Sequence, residues 1–207
     1  MTYAWKDSII FLEPLSNEHP PTWFIFLTPG LVIVSIPLSF YLFIKNKKIV
    51  DSESVRLHMV SNPKKMKISN FEPKEITLSN HPTKDLGKRT VMVDGILLIS
   101  GSDVAEMKVG ENIRLLGLGV VKINDLANEI NAELIDDSEN AEKKIQWVAG
   151  NDALQIKAII PDLLFIDEKF NKDSLLTQEV ITESAYSNLK DDAEIQFVRL
   201  GYYRKES

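Results

Sequence analysis

After Asp51 the sequence is a succession of short apolar or alternating runs, each ended by Gly, Asn, Asp or Pro, and this rhythm restricts the available folds more than any other feature of the chain. The runs include "SVRLHMV", "EITL", "RTVMVDGILLIS", "NIRLLGLGVVKI", "INAELID", "KIQWV", "LQIKAII" and "EIQFVRLGYYR". Successive side chains of a strand point to opposite faces, so Val55, Leu57 and Met59 share one face of the first run and can meet a core together. Stretches this short with a period near two predict an all-β barrel or sandwich. Turn chemistry agrees: Asp94-Gly95 between two apolar runs predicts a type I′ hairpin, because glycine reaches positive φ without steric cost, and Gly110 marks a turn ahead of "NIRLL". Residues 136–144, "DDSENAEKK", carry too much charge for a core and are expected to form a solvated loop.

The N-terminal part is of another kind. No charged residue occurs from Thr22 to Ile44, a run that as a helix rising about 1.5 Å per residue would extend roughly 34 Å, enough for a tilted membrane span. Pro29-Gly30 and Pro37 interrupt it, and Lys45, Lys47 and Lys48 follow at once. Such basic residues would keep the long C-terminal part in the cytoplasm, as in a single-pass membrane protein. The opposing expectation is that residues 1–48 are foreign to the rest of the chain, a truncated or frame-disrupted junction ahead of a domain occupying residues 49–207. Four lysines against three carboxylates leave residues 1–48 at +1, so the remainder carries −7 of the net −6. An acidic module is a poor indiscriminate binder of nucleic acid, because affinity for phosphates comes largely from released counterions. Any role with RNA has to be local and specific.

Familiar catalytic signatures are missing. The chain has no cysteine, which removes thiol chemistry, disulfides and zinc knuckles. His19, His58 and His81 lie too far apart for a helical or hairpin ligand pair, so no metal site is expected. No nucleophile elbow, phosphate-binding loop or dinucleotide fingerprint occurs, and the pairs Asp136-Asp137 and Asp191-Asp192 sit in turn-like surroundings where solvated charge is the ordinary state. A binding module is the expected class.

Several stretches then become specific together. "NHPTKDLGKRTVMVDGILLIS" (80–100), "VGENIRLLGLGVVKI" (109–123), "IQWV" (145–148) and "EIQFVRLGYYR" (194–204) resemble, in order and spacing, the C-terminal anticodon-binding β-barrels of class I glutamyl- and glutaminyl-tRNA synthetases, most closely the archaeal glutamyl type. The resemblance begins near "NKKIVDSESVRLHMV" and implies two β-barrels over residues 49–207 that clasp the anticodon loop of a glutamate-specific tRNA. Single-stranded loops are where RNA sequence is generally read, because there base edges and π faces are exposed.

By the same resemblance, Arg89 of the G-x-R motif, Gln196 of "QF-x-R", Arg114 and Arg199 are expected to bind the tRNA anticodon, Arg89 at a base edge or phosphate, the Gln196 amide at the middle uridine, and Arg114 and Arg199 at bases or backbone. Lys84, Lys88 and Tyr202 are expected to add phosphate or stacking contacts, whereas Trp147, flanked by apolar residues, is expected in the core. The chain departs from the family pattern at Val198, where a carboxylate is usual, and it contains no catalytic half. No cofactor is expected in this chain, although the family implies ATP and Mg for the parent enzymes. The expected function is anticodon recognition as part of a cytoplasmic glutamate–tRNA ligase, non-catalytic by itself. A membrane-tethered interaction protein anchored through 22–44, and a tRNA-binding factor acting in trans on a separate catalytic chain, are the alternatives.

Overall fold

The computed structural model describes residues 8–12, 45, 47–127 and 129–206. The expected membrane run, residues 22–44, lies outside them, and among the described residues no helix is long and apolar enough to cross a membrane. The chain passes from strand β1 (Ser8–Leu12) to a helix over residues 47–53 (α1), then to β2 (Val55–Leu57) and β3 (Met59–Ser61). It continues through β4 (Lys64–Ile68), β5 (Lys74–Ser79), β6 (Lys88–Val93), β7 (Ile96–Ile99), a short helix α2 (Gly101–Ala105), β8 (Asn112–Leu115), β9 (Gly119–Asp125), β10 (Ile130–Ile135), β11 (Lys143–Ile145) and β12 (Val148–Ala149). It ends with β13 (Ala153–Pro161), the hairpin β14 (Phe165–Ile166) and β15 (Lys169–Phe170), β16 (Leu175–Glu183), a 3-10 turn over Ser184–Asn188, β17 (Glu194–Phe197) and β18 (Gly201–Lys205). The fold is all-β.

Among the described residues, two seven-stranded sheets hold fourteen of these strands, in the orders β2-β17-β18-β1-β13-β16-β3 and β11-β8-β9-β10-β4-β7-β12, and β5-β6 and β14-β15 form separate two-stranded ribbons. The edges of the first sheet, β2 and β3, are separated in sequence by His58 alone. The edges of the second, β11 and β12, are separated by Gln146 and Trp147. Consecutive Cα atoms are about 3.8 Å apart, so in each sheet the two outermost strands are forced together and the sheet must curl on itself. Closure of this kind leaves a barrel with little open edge. Each barrel is thus shut by one kinked strand. The second barrel is also inserted: the chain starts the outer barrel with β1, β2 and β3, builds the whole inserted barrel, and returns to finish the outer one.

The period-two patterns follow from this closure. In β17 the pattern places Ile195 and Phe197 fully inside and leaves Gln196 outside, and in β2 Leu57 is buried with Val55 packed on the same core while Arg56 points outward. The inserted barrel is filled by Met66, Leu97, Ile99, Ile113, Leu115, Val121, Ile123 and Trp147. The outer one is filled by Leu57, Met59, Ile156, Ile195, Phe197 and Tyr203, with the rings of Phe197 and Tyr203 edge-on at 5.1 Å. Burying each such side chain contributes about 1.5–3 kcal/mol, which is what holds the many short strands.

One expectation fails in an instructive way. Gly95 does adopt positive φ, +88°, and the Asp94 carboxylate accepts the Ile96 amide at 3.0 Å, yet β6 and β7 do not pair as a hairpin. β6 pairs with β5 alone and β7 pairs with β4 and β12. The Gly95 carbonyl instead accepts the Ile68 amide at 2.9 Å, and a Cβ on Gly95 would lie 3.3 Å from the Ile68 carbonyl oxygen. The Asp-Gly turn therefore throws the chain from the flanking β5-β6 ribbon into the barrel wall. The expected turn at Gly110 is present with φ +85°, and helix α2 was not legible among the strand signals.

Candidate nucleic-acid interface

The two barrels meet at their kinks. His58 Nδ1 lies 2.9 Å from the Trp147 carbonyl, which requires the Nδ1–H tautomer, and the Gln146 side-chain carbonyl accepts the Met59 amide at 3.2 Å. The Thr182 hydroxyl donates to the His58 carbonyl at 2.8 Å, and the His58 and Trp147 rings are edge-on at 5.8 Å. Glu183, at the end of β16, accepts the His58 amide on Oε1 at 2.9 Å. Arg89, on β6, forks onto both oxygens of the same carboxylate, Nη2 at 2.8 Å from Oε1 and Nε on Oε2. Its remaining Nη1 reaches the Asn80 side-chain oxygen at 3.3 Å. The side chains of Arg89 and Glu183 are only 8% and 2% exposed, so the guanidinium is committed to the junction.

Burial, reinforced by the Arg89 cation, pushes the His58 pKa below its ordinary value of 6.5, with the Glu183 carboxylate opposing. The neutral ring is the folded form. The unfolded chain binds this proton more readily than the folded one, so the stability His58 contributes is complete above about 6.5 and is lost as pH falls from there toward the folded-state value. Denaturation of the wild type and His58→Asn, whose amide still donates to the Trp147 carbonyl, is expected to show a steeper loss between pH 7 and 5 for the wild type. Equal losses would contradict the assignment.

On the outer barrel a second constellation spans three neighbouring strands. Gln196 is in register with Arg56 on β2 and with Tyr202 on β18, which sets all three side chains on the outer face of the wall. Gln196 Nε2 donates to the Tyr202 hydroxyl at 3.2 Å, and that hydroxyl donates to Asp51 of α1 at 2.8 Å. Arg56 Nη2 donates to the same Asp51 oxygen at 3.1 Å. The bond from Tyr202 holds the Asp51 carboxyl below the usual carboxylate range, with Arg56 and His81 acting in the same direction. Burial and the neighbouring Asp51 carboxylate push the Tyr202 phenol up to about 12. Gln196 Oε1 and Arg56 Nε are shut off from solvent and have no partner among the described residues. Tyr202 is 6% exposed, so its ring is a wall element here and not a free stacking platform.

The loop from Asn80 to Lys88 is tied beside this row. His81 Nε2 donates to the Asp51 carbonyl at 3.0 Å, its Nδ1 accepts the Lys84 amide at 3.0 Å, and the Asn80 carbonyl accepts the Arg56 amide at 2.7 Å. Lys84 and Lys88 are exposed on it. Arg114 stands elsewhere, on the inserted barrel, where it clamps Asp137 through Nη1 at 2.5 Å and the Asp137 carbonyl through Nη2 at 2.8 Å. It lies in register with Lys144. Both line a shallow depression of about 530 Å³ walled by Leu115–Gly119, Leu134 and Ile135. Arg199, in the turn between β17 and β18 with φ +68°, reaches back to Asp103 of α2 at 2.9 Å. The expected residues therefore fall into three groups: Gln196 with Tyr202, Lys84 and Lys88 at one end of the outer barrel, Arg114 on the inserted one, and Arg89 and Arg199 across the junction.

The barrel pair is matched by two family models of the anticodon-binding domain of class I tRNA synthetases for E and Q, one over residues 54–137 and one over 144–206. The chain belongs to this family. Relatives in the anticodon-binding family include the glutamate–tRNA ligase of Nitrosopumilus maritimus, 48% identical over 78% of this chain and 29% of its own length. That of Cenarchaeum symbiosum is 37% identical over the same shares, and that of Methanocaldococcus jannaschii is 28% identical over 77% of this chain and 27% of its own length. The chain thus spans under a third of these relatives. The first family match includes β2 and β3, which the folded chain gives to the outer barrel, so the sequence division and the sheet division of this anticodon-binding domain differ.

Four residues of the interface were missed by sequence reasoning. Arg56 and Asp51 carried no motif of their own, and their place is set by strand register and by the end of α1. Glu183 and Asp103 stand in no motif and belong to a chain with 30 acidic residues. Only their arginine partners, distant in sequence, distinguish them.

Proposed function

We propose that the chain is the anticodon-reading part of a glutamate–tRNA ligase working in the cytoplasm, and that its two barrels hold unstacked anticodon bases against their outer faces. The observation that carries this reading is the match of both barrels to the anticodon-binding family, joined to 48% identity with a glutamate–tRNA ligase. The row on the outer barrel has suitable chemistry. Gln196 Oε1 is an acceptor and Arg56 Nε a donor, both covered and without partners among the described residues; unsatisfied buried atoms of this kind cost about 1–3 kcal/mol each, which favours a shift of these side chains that brings them to a base. A uracil edge offers an N3–H donor flanked by carbonyl acceptors, the complement of that pair. Arg114 and Lys144 offer a second cationic surface at the depression, and Lys84 and Lys88 offer phosphate contacts beside the row. ATP-dependent charging and its Mg belong to the catalytic part of such a ligase, and this chain's share is recognition.

Equilibrium binding to transcripts of tRNA specific for glutamate tests the reading. Changing the middle anticodon base is expected to weaken binding by about 1–3 kcal/mol, and Gln196→Ala to remove most of that difference while leaving the salt dependence unchanged. Equal affinity of the wild type for both transcripts would sink it.

A further inference from the structure

The carboxylate at one end of the outer-barrel row dictates the direction of the hydrogen bonds that follow it. An ionised Asp51 can only accept, and the bond from Tyr202 keeps it ionised by holding its carboxyl below the usual range. The single proton of the Tyr202 hydroxyl is therefore committed to Asp51 Oδ1, 2.8 Å away. To Gln196 that hydroxyl offers a lone pair. The Gln196 amide has to present its NH2 there, with Nε2 at 3.2 Å, and to turn its carbonyl Oε1 the other way. We propose that Asp51 is a positioning residue for base choice, which sets through Tyr202 the end of the Gln196 amide that faces an anticodon base. This deepens the anticodon-reading proposal and rests on it.

An isolated glutamine has no such order of its own. The two ends of its amide are nearly alike in shape and opposite in hydrogen-bonding sense, so a half-turn exchanges an acceptor for a pair of donors. For a pyrimidine this changes the partner. Uracil presents N3–H as a donor between two carbonyl oxygens, which suits Oε1, whereas cytosine presents N3 as an acceptor beside an amino donor, which suits an NH2. Arg56 reinforces the order, because a guanidinium can only donate. Its Nη2 is held on the same Asp51 oxygen at 3.1 Å, and its Nε, like Gln196 Oε1, has no partner among the described residues. What remains for a base is one acceptor on β17 and one donor on β2, at positions in register. A shift of these side chains toward a base carries the order with it as long as Nε2 keeps the Tyr202 hydroxyl. Asp51 is itself fixed at its backbone, where the carbonyl accepts His81 Nε2 at 3.0 Å.

The test is equilibrium binding of the full chain to glutamate-specific transcripts with uridine or cytidine at the middle anticodon position, together with NMR of the Gln196 side-chain amide in the free chain. Asp51→Asn keeps the shape of the side chain but can donate to the Tyr202 oxygen, which frees the phenolic proton for Gln196 Oε1 and lets the amide turn. In this variant the preference for uridine over cytidine is expected to fall at least about fivefold, in part because the cytidine transcript binds more tightly, with the salt slope unchanged. Tyr202→Phe keeps the ring in the wall and removes the hydroxyl. It is expected to lose the preference to a similar extent, and the double variant to lose no more than either single one. A side chain that only supported the fold would affect both transcripts alike. Equal weakening for the two transcripts in Asp51→Asn, with the preference intact, would therefore overturn the positioning role, and the same result in Tyr202→Phe would overturn its route through the hydroxyl. If the parent itself does not distinguish uridine from cytidine, the anticodon-reading proposal falls, and the amide signal still decides the proton order. That signal is expected to move in both variants; an unmoved signal in Asp51→Asn would overturn the control of Gln196 by Asp51.

Discussion

Replacing Glu183 with alanine is expected to lower the unfolding free energy by about 3–5 kcal/mol, the range seen when one partner of a buried ion pair is removed. The size follows from what is left behind. Arg89 would keep its charge at a site where its side chain is 8% exposed, with Nε and Nη2 both deprived of their acceptor. The His58 amide would lose its acceptor as well. Alanine cannot reach any of these donors, and the kink that closes the outer barrel would carry the loss. Urea denaturation of the wild type, Glu183→Ala, Arg89→Met and the double variant resolves the contributions. The double variant is expected to be less destabilised than Glu183→Ala alone, because the stranded charge is then gone. A loss below about 1 kcal/mol for Glu183→Ala would mean that the pair is solvated, as surface pairs are.

Trp147→Ala is expected to cost a comparable amount, about 3–5 kcal/mol, as a large core aromatic reduced to a methyl group does. Trp147 is 1% exposed in the middle of the inserted core, and its indole N–H donates to the Leu116 carbonyl at 2.9 Å. Removing it opens a cavity and orphans that carbonyl at the rim of the Arg114 depression. Trp147→Phe refills much of the volume without the donor, so it is expected to fall between the two. Thermal and urea melts of the three proteins check the order. Trp147→Ala with a stability equal to wild type would contradict the placement of this residue at the closure of the barrel.

These effects show which parts of the molecule were legible in its sequence. The strands were, since a core on one side and solvent on the other impose the alternation of Ile195, Gln196 and Phe197 directly. The core position of Trp147 was legible for the same reason. The closure of each sheet was not: "SVRLHMV" reads as one strand, and nothing local says that His58 breaks it into the two opposite edges of a barrel. The Asp94-Gly95 turn was recognised as a turn but assigned the wrong partners, because local propensity sets the bend while the Ile68 and Leu97 backbones decide where it leads. At the interface the motifs drew attention to Arg89, Arg114, Gln196 and Arg199. Their carboxylate partners lie between 23 and 96 residues away for the three arginines, and only the folded chain separates an arginine committed to a junction from one beside a groove.

The most direct test of the central claim is equilibrium binding of the wild-type chain to a glutamate-specific tRNA transcript and to the same transcript with its middle anticodon base changed, at one fixed ionic strength. The changed transcript is expected to bind more weakly by about 1–3 kcal/mol, roughly five- to more than a hundredfold in affinity. Indistinguishable affinities would contradict it.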